Sequence, residues 1–519
     1  MGCLSAATAP AQCSPQQLQK LLASDGAAGD KFGFSVAFDG TTAVAGSFGH
    51  GHAAPCAGAA YVFARSGRLW IETTELRGSG TDVGDHFGNA VDVDGDTIVV
   101  GAREDDPVAG NSGAAYVFVR QGSSWVEQQK IFPADGASTD LFGYAVALDG
   151  DTLAVGAKGV LAETGAVYVW VRSGGVWTQQ QKLEASDGQS RDGFGWSVAL
   201  EDETLVTGAI GDDDQGDRAG AAYVFTRAGS TWIERQKLFG SDAAASQNFG
   251  KSMAMQAGTL LIGTPGASDF GQASGAAYVF AGSFGSWKET QKLLAIDGRT
   301  NAQFGEDVAL DGNIAVVGAW NDSAYSSATG SAYVYTRNLA TWSHSVKLIA
   351  DDAQPSDNFG GALGLRDGTV FAGAQNTDDQ GDNSGACYVF GVDPAGWSRY
   401  GTGWPGTYGA PDIALDRMPS IGASLNVLAT NSRGQATMAA LVFGTGAISV
   451  PTPLAGTLLV TPDLTLNAVL PTAGIQAPLS IPLEGSLCGV SLFVQVLEVD
   501  PGASAGVSFT QGLQMDIGQ

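Results

Sequence analysis

One phrase recurs seven times along this chain, and its period constrains the fold more than any other feature. Phe-Gly occurs at Phe32-Gly33, Phe87-Gly88, Phe142-Gly143, Phe194-Gly195, Phe249-Gly250, Phe304-Gly305 and Phe359-Gly360, at spacings of 55, 55, 52, 55, 55 and 55 residues. Each copy continues with an apolar strand, a turn, a strand ending in Gly-Ala or a close variant, a stretch like Gly-Ala-Ala-Tyr-Val-Phe, and then Trp. A fixed period of this size marks an array of one supersecondary unit.

The second copy shows what the unit is. Asn89 to Val93 alternates, Asp94-Gly95-Asp96 turns, and Thr97 to Val100 returns. Asp-Gly between apolar runs is a hairpin signal, because Gly tolerates positive φ. A loop from Ala102 to Ser112 follows, then the strand Ala114 to Val119, a turn at Gly122-Ser123-Ser124, and a last strand from Trp125 to Ile131. The unit reads as a four-stranded antiparallel meander. Its strands are apolar on both faces, as in Ala114-Ala115-Tyr116-Val117-Phe118, so each sheet must be covered on both sides. Seven small sheets sandwiched by one another make a propeller; a solenoid is the rival arrangement. The third residue after Phe is small in six copies (Ser35, Ala90, Ala145, Ser197, Ser252, Ala362) and Asp307 in the other, which suits crowding near a central axis.

The seventh copy reaches Trp397 without the Gln-Lys-Leu that closes most others, while an unpartnered Gln19-Lys20-Leu21 lies near the start. Gln16 to Leu22 is therefore expected to supply the outer strand of the last blade and hide an open edge. The expected organisation is a tail or remnant export signal over 1–15, the propeller over 16–400, a Gly/Thr-rich linker over 401–410, and a smaller β-sandwich over 411–519, where prolines punctuate short alternating segments. The fold class is all-β: a seven-bladed β-propeller followed by that sandwich.

Charge narrows the partners. The net charge of -27 disfavours nucleic acid and anionic membranes, which want Lys/Arg patches. No run reaches the length of a membrane span. Ala7-Thr8-Ala9 and Ala9-Pro10-Ala11 look like the cleavage end of a signal peptide lacking its basic and long apolar parts. Five cysteines (Cys3, Cys13, Cys56, Cys387, Cys488) are too few for a disulfide scaffold. A secreted or cell-surface monomer is the expectation.

The repeats resemble the FG-GAP family of integrin α-chain propellers and bacterial exported proteins, over roughly residues 16 to 400. The resemblance implies a seven-bladed propeller used for extracellular adhesion or ligand binding, often with calcium. Family calcium hairpins carry a long acidic turn between the first and second strands. Here those turns are short (Asp94-Gly95-Asp96, Asp149-Gly150-Asp151, Asp311-Gly312-Asn313), too tight to wrap an ion needing six to eight oxygens, so that site does not carry over. The proline expected after the second strand survives in Gly263-Thr264-Pro265 but is replaced in Gly101-Ala102-Arg103 and Gly156-Ala157-Lys158.

Candidate sites follow from the topology. In a meander blade the second-to-third loops and the blade-linking loops emerge on one face, and both sets are acidic here. Two near-identical loops, with Asp212, Asp213, Asp214 and Asp217 in one and Asp378, Asp379 and Asp382 in the other, could hold calcium; the alternative is a solvated acidic turn. The residue after Phe-Gly differs in every copy (Phe34, Asn89, Tyr144, Trp196, Lys251, Glu306, Gly361) and would ring the channel mouth. Tyr144 and Trp196 there suit sugar or peptide contacts. His50, His52 and Cys56 share a loop and offer three transition-metal ligands without a fourth. Four scattered His and no nucleophile elbow leave catalysis little support. The functional expectation is non-enzymatic adhesion or binding of a protein or glycan through the acidic face. A propeller enzyme using those carboxylates and a structural surface component are the alternatives.

Overall fold

The computed structural model describes residues 16–51, 54–66, 69–323 and 327–392, and beyond them chiefly the strands between 396 and 516. Two compact units emerge, one of them Pro15–Val392. It contains seven four-stranded antiparallel sheets. Blade 2 is representative: Phe87–Asp94, Thr97–Ala102, Ala114–Gln121 and Ser124–Ile131 pair in sequence order. The first strands contact one another around a closed ring, Ala362–Arg366 of blade 7 meeting Ser35–Phe38 of blade 1.

Blade 7 is completed from the chain start. Its Ala386–Gly391 strand pairs with Gln16–Leu21, Leu21 opposite Cys387 and Lys20 opposite Tyr388. With Thr369–Ala374 on its other side, Ala386–Gly391 has no edge left. Gly396–Tyr400, read from sequence as the end of the seventh copy, pairs instead with Gly512–Asp516 in the second unit. The propeller therefore stops at Val392 rather than near residue 400.

The core lies between blades, as two-faced burial demands. Each interface holds one apolar cluster. Between blades 1 and 2 it contains Val44, Val62, Leu76, Phe87, Val100 and Tyr116, and between blades 7 and 1 it contains Leu21, Phe32, Tyr61, Trp70, Phe371 and Val389. The Phe of every Phe-Gly is fully or nearly fully buried and meets the Tyr of its own third strand edge-on, with centroids 5.5 Å apart for Phe142–Tyr168. The Phe-Gly backbone latches onto the preceding blade: Phe142 N–H donates to Ser112 O at 3.0 Å. The small residue three places after Phe fits this latch, since the Ser35 hydroxyl donates to Gly88 O of the next blade at 2.9 Å.

Polar clamps repeat around the ring. The Gln181 side chain donates to Trp232 O at 3.0 Å and accepts from Trp232 N–H at 2.7 Å, and Gln19, Gln129, Gln236 and Gln291 hold the next blade's Trp backbone alike. On the hairpin face, Asp94 accepts from Gly150 N–H and Asp311 from Asp367 N–H. The tight turns read from sequence are present, Asp94 pairing with Thr97 across two residues.

In the second unit the described strands form three antiparallel sheets. One runs Gly396–Tyr400, Gly512–Asp516, Ser491–Val499, Thr437–Gly444, Leu464–Leu470, with Val507–Phe509 also on Ser491–Val499; a three-stranded sheet and a hairpin complete it. The 1–15 segment and the 401–410 linker lie outside the described residues. No helix among the described residues is long and apolar enough to cross a membrane.

Candidate functional site

In six of the seven blades part of the acidic loop face is paired from within. In blade 4 the Lys237 ammonium lies 2.9 Å from Asp187, 2.6 Å from Asp212 and 2.6 Å from Asp214, with the Tyr223 ring 5.1 Å below. The Tyr223 hydroxyl lies 2.8 Å from Asp187 and 2.9 Å from Asp212, and its single proton is donated to one of them at a time. Lys20, Lys130, Lys182, Lys292 and Lys347 repeat the arrangement on Tyr388, Tyr116, Tyr168, Tyr278 and Tyr333. Burial works against ionisation of Asp187, Asp242, Asp297 and Asp352. The lysine and tyrosine hydrogen bonds outweigh it, and all four carboxyls fall below the usual range.

The loops singled out for calcium belong to this network. Asp212 and Asp214 are held by Lys237, and Asp379 by Lys20 at 2.6 Å. Asp378 accepts from Asn383 N–H, while Asp213, Asp217 and Asp382 are exposed. Asp379 and Gly381 form an isolated bridge like that of Asp269 and Gly271 in blade 5. The second acidic set is structural too: Asp30, Asp85, Asp140, Asp192 and Asp357 are buried, each accepting from the backbone N–H three residues earlier.

The positions expected at a channel mouth are different in character. They combine the residue after each Phe-Gly with the residue after each second strand. Tyr144 and Trp196 lie with ring centroids 5.0 Å apart. Lys158 places its ammonium 4.7 Å from the Tyr144 centroid and 4.4 Å from that of Trp196. Arg103 stands over Tyr144 and Phe48 at 5.7 and 5.9 Å, and Lys251 over Trp196 at 5.1 Å. Lys251 pairs with Glu306 at 3.0 Å, whereas Lys158 makes no ion pair among the described residues. Burial lowers the Lys158 pKa. Phe34 packs edge-on against Phe48 at 4.5 Å. Asn89 is structural: buried, it donates to Gly143 O and Tyr144 O and accepts from Arg103 N–H.

The sequence reading missed the second half of this mouth. Arg103 and Lys158 stand where the repeat elsewhere has Pro265, and that irregularity was the available signal. Their meeting with Tyr144 and Trp196 needed the blade geometry.

Blade 1 departs from the lysine pattern. Glu75 occupies the lysine position and His50 the position of Asp105 and Asp212. Among the described residues, the one group of His, Cys, Asp and Glu with metal-ligand proximity is Asp25, His50 and Glu75. Of the expected His50, His52 and Cys56 grouping, His50 belongs to this group. Cys56 is an exposed free thiol outside that group, and His52 lies outside the described residues.

Two carboxyls on the innermost strands are poised to titrate. Asp92 accepts from Leu148 N–H and Asp307 from Leu363 N–H, each at 2.7 Å across a blade interface. Desolvation pushes both up to about 7. Both retain some solvent contact although protein surrounds them. A carboxyl raised in the folded state binds more protons there than in the unfolded chain, so its stabilisation is lost as pH rises from about 4 through 7. The lowered Asp187, Asp242, Asp297 and Asp352 act oppositely, losing stabilisation below about pH 4. The melting temperature is expected to peak near pH 5 and fall towards pH 8. Asp92→Asn and Asp307→Asn should each flatten that fall, by on the order of 1–2 kcal/mol at pH 8 after allowance for water. Calorimetry across pH checks this, and an unchanged slope in both variants would refute it.

No curated protein matches the chain. Among solved structures it is similar to a crystal structure of Sqt1 from Chaetomium thermophilum, at 15% identity over 69% of this chain and 83% of that one, with a TM-score of 0.41. The FG-GAP repeat model matches residues 15–63, 70–118, 125–170, 177–225, 232–280, 287–335 and 342–390. Each match begins near one blade's outer strand and ends in the third strand of the next, the same offset that lets Gln16–Leu21 finish blade 7. With all seven blades so matched, the chain belongs to the FG-GAP repeat family.

Proposed function

We propose that this protein is a non-enzymatic, exported or cell-surface binding protein, acting as a monomer, whose propeller takes a carboxylated glycan at its channel mouth. The observation that carries the reading is Lys158, an ammonium on two aromatic faces with no carboxylate paired to it, flanked by Arg103 and Lys251. In a chain of net charge -27 this is a local site for an anion. Tyr144 and Trp196 would hold the three cations in place, and the cations would meet the sugar's carboxylate. Many of the acidic loop carboxylates are engaged by lysines or backbone N–H groups of the scaffold, and Asp213, Asp217 and Asp382 stay exposed.

The enzyme alternative meets a chemical obstacle. A general acid needs a raised pKa, whereas the lysine-held Asp187, Asp242, Asp297 and Asp352 are lowered. The raised carboxyls, Asp92 and Asp307 on the innermost strands and Asp85, Asp140, Asp192 and Asp357 in the blade-linking loops, are each engaged by a backbone N–H group.

Calorimetric titration with oligogalacturonate and with a neutral oligoglucan tests the reading. Binding of the acidic sugar alone is expected, weakened about tenfold or more by Lys158→Ala and by Trp196→Ala, with no release of reducing ends. Equal binding of both sugars, indifference to both variants, or turnover would each overturn it.

A further inference from the structure

Blade 1 carries an inverted version of the site that the other six blades build around lysine. We infer that Asp25, His50 and Glu75 form a binding site for a divalent transition ion of the zinc class.

The imidazole is positioned for this. His50 is 4% exposed, and its Nδ1 lies 3.0 Å from Oδ2 of Asp30, itself buried. Asp30 is fixed in turn by the Ala27 N–H at 2.8 Å. Donation from Nδ1–H to this carboxylate sets the tautomer that leaves Nε2 with a lone pair, the arrangement that orients metal-binding histidines. Nε2 faces Oδ2 of Asp25 and Oε1 of Glu75, each at 3.7 Å. These separations are too long for hydrogen bonds. They are close to the spacing of about 3.3–3.5 Å between ligands that each sit about 2.0–2.1 Å from a tetrahedral ion. The second oxygen of Asp25 is fixed by the Tyr61 hydroxyl at 2.7 Å.

One imidazole and two carboxylates suit zinc and its neighbours, whereas calcium prefers an all-oxygen shell. Three protein ligands leave a fourth position for water or an incoming ligand atom. Arg77 is the local competitor: Nε is 2.5 Å from Glu75, and Nη2 is 3.9 Å from Asp25. Its side chain is partly exposed, so it can withdraw towards solvent when an ion enters. The other blades show the contrast. In blades 4 and 6, where lysine stands at the Glu75 position and Asp at the His50 position, the ammonium occupies the centre that an ion would take here.

The test uses the full chain stripped with chelator and titrated with zinc, then calcium, reading stoichiometry and melting temperature. One zinc per chain is expected, with a rise in melting temperature that calcium does not reproduce. Glu75→Lys installs the residue of the other blades and preserves folding; His50→Gln removes the nitrogen ligand. Both should weaken zinc binding about 30-fold or more. Absence of stoichiometric zinc binding, or binding that survives Glu75→Lys unchanged, would overturn the assignment.

Discussion

Removing residues 1–22 is expected to lower the propeller's melting temperature by roughly 5–10 °C and to promote self-association. The deletion takes away Gln16–Leu21, the fourth strand of blade 7. It uncovers the hydrogen-bonding edge of Ala386–Gly391 and empties the place of Leu21, which is 4% exposed in the cluster joining blades 7 and 1. Burial of a leucine stabilises by about 1.5–3 kcal/mol, and each strand hydrogen bond by about 1 kcal/mol. The Gln19 clamp on Trp70 and the Lys20 contacts to Asp352 and Asp379 go with it. The total is on the order of 5 kcal/mol or more. Calorimetry and sizing of the truncated chain check this. An unchanged melt with an unchanged elution volume would show that ring closure does not depend on the strand.

The second large effect concerns the repeat's own glycine. Gly143→Ala is expected to cost about 3 kcal/mol, whereas Gly150→Ala should cost about 1 kcal/mol. Both glycines have positive φ, +88° and +55°. They differ in what a Cβ would meet. At Gly143 it would sit 2.2 Å from the carbonyl oxygen of Ala114, in the backbone of the preceding blade; at Gly150, on a hairpin tip, it meets nothing within 4 Å. Denaturant unfolding of the two variants measures the difference. Equal destabilisation would mean that the Phe-Gly glycine is chosen for its dihedral angle alone and not for the blade contact.

Most of the fold was legible because it is a consequence of repetition. Seven in-register copies with strands apolar on both faces leave few ways to bury them, and the displaced Gln-Lys-Leu at residues 19–21 marks the strand that finishes the ring. The one boundary that differed was the propeller's end: Trp397 carried the seventh copy to about residue 400, whereas the unit ends at Val392. Local sequence could not reveal that Gly396–Tyr400 pairs with Gly512–Asp516, more than 100 residues further on, instead of continuing the seventh copy.

The candidate sites were legible only in part. Acidic loops read as ion sites because sequence lists carboxylates without their partners. Lys237 lies 23 residues beyond Asp214 and 50 beyond Asp187, yet meets both. Tyr144 and Trp196 could be named from the variable position after Phe-Gly, but Lys158 gained meaning only when the blades brought it onto both rings.

By itself, then, the amino-acid sequence determined the repeating unit, the number of blades, the tight hairpins and the closing strand. Each of these follows from periodicity and from strands with two apolar faces, which act at every copy alike. Only the tertiary structure decided which charges are spent within the scaffold and which face outward. That choice depends on distances between residues of different loops and blades, such as Lys237 with Asp212 or His50 with Glu75, and no spacing along the chain encodes those distances.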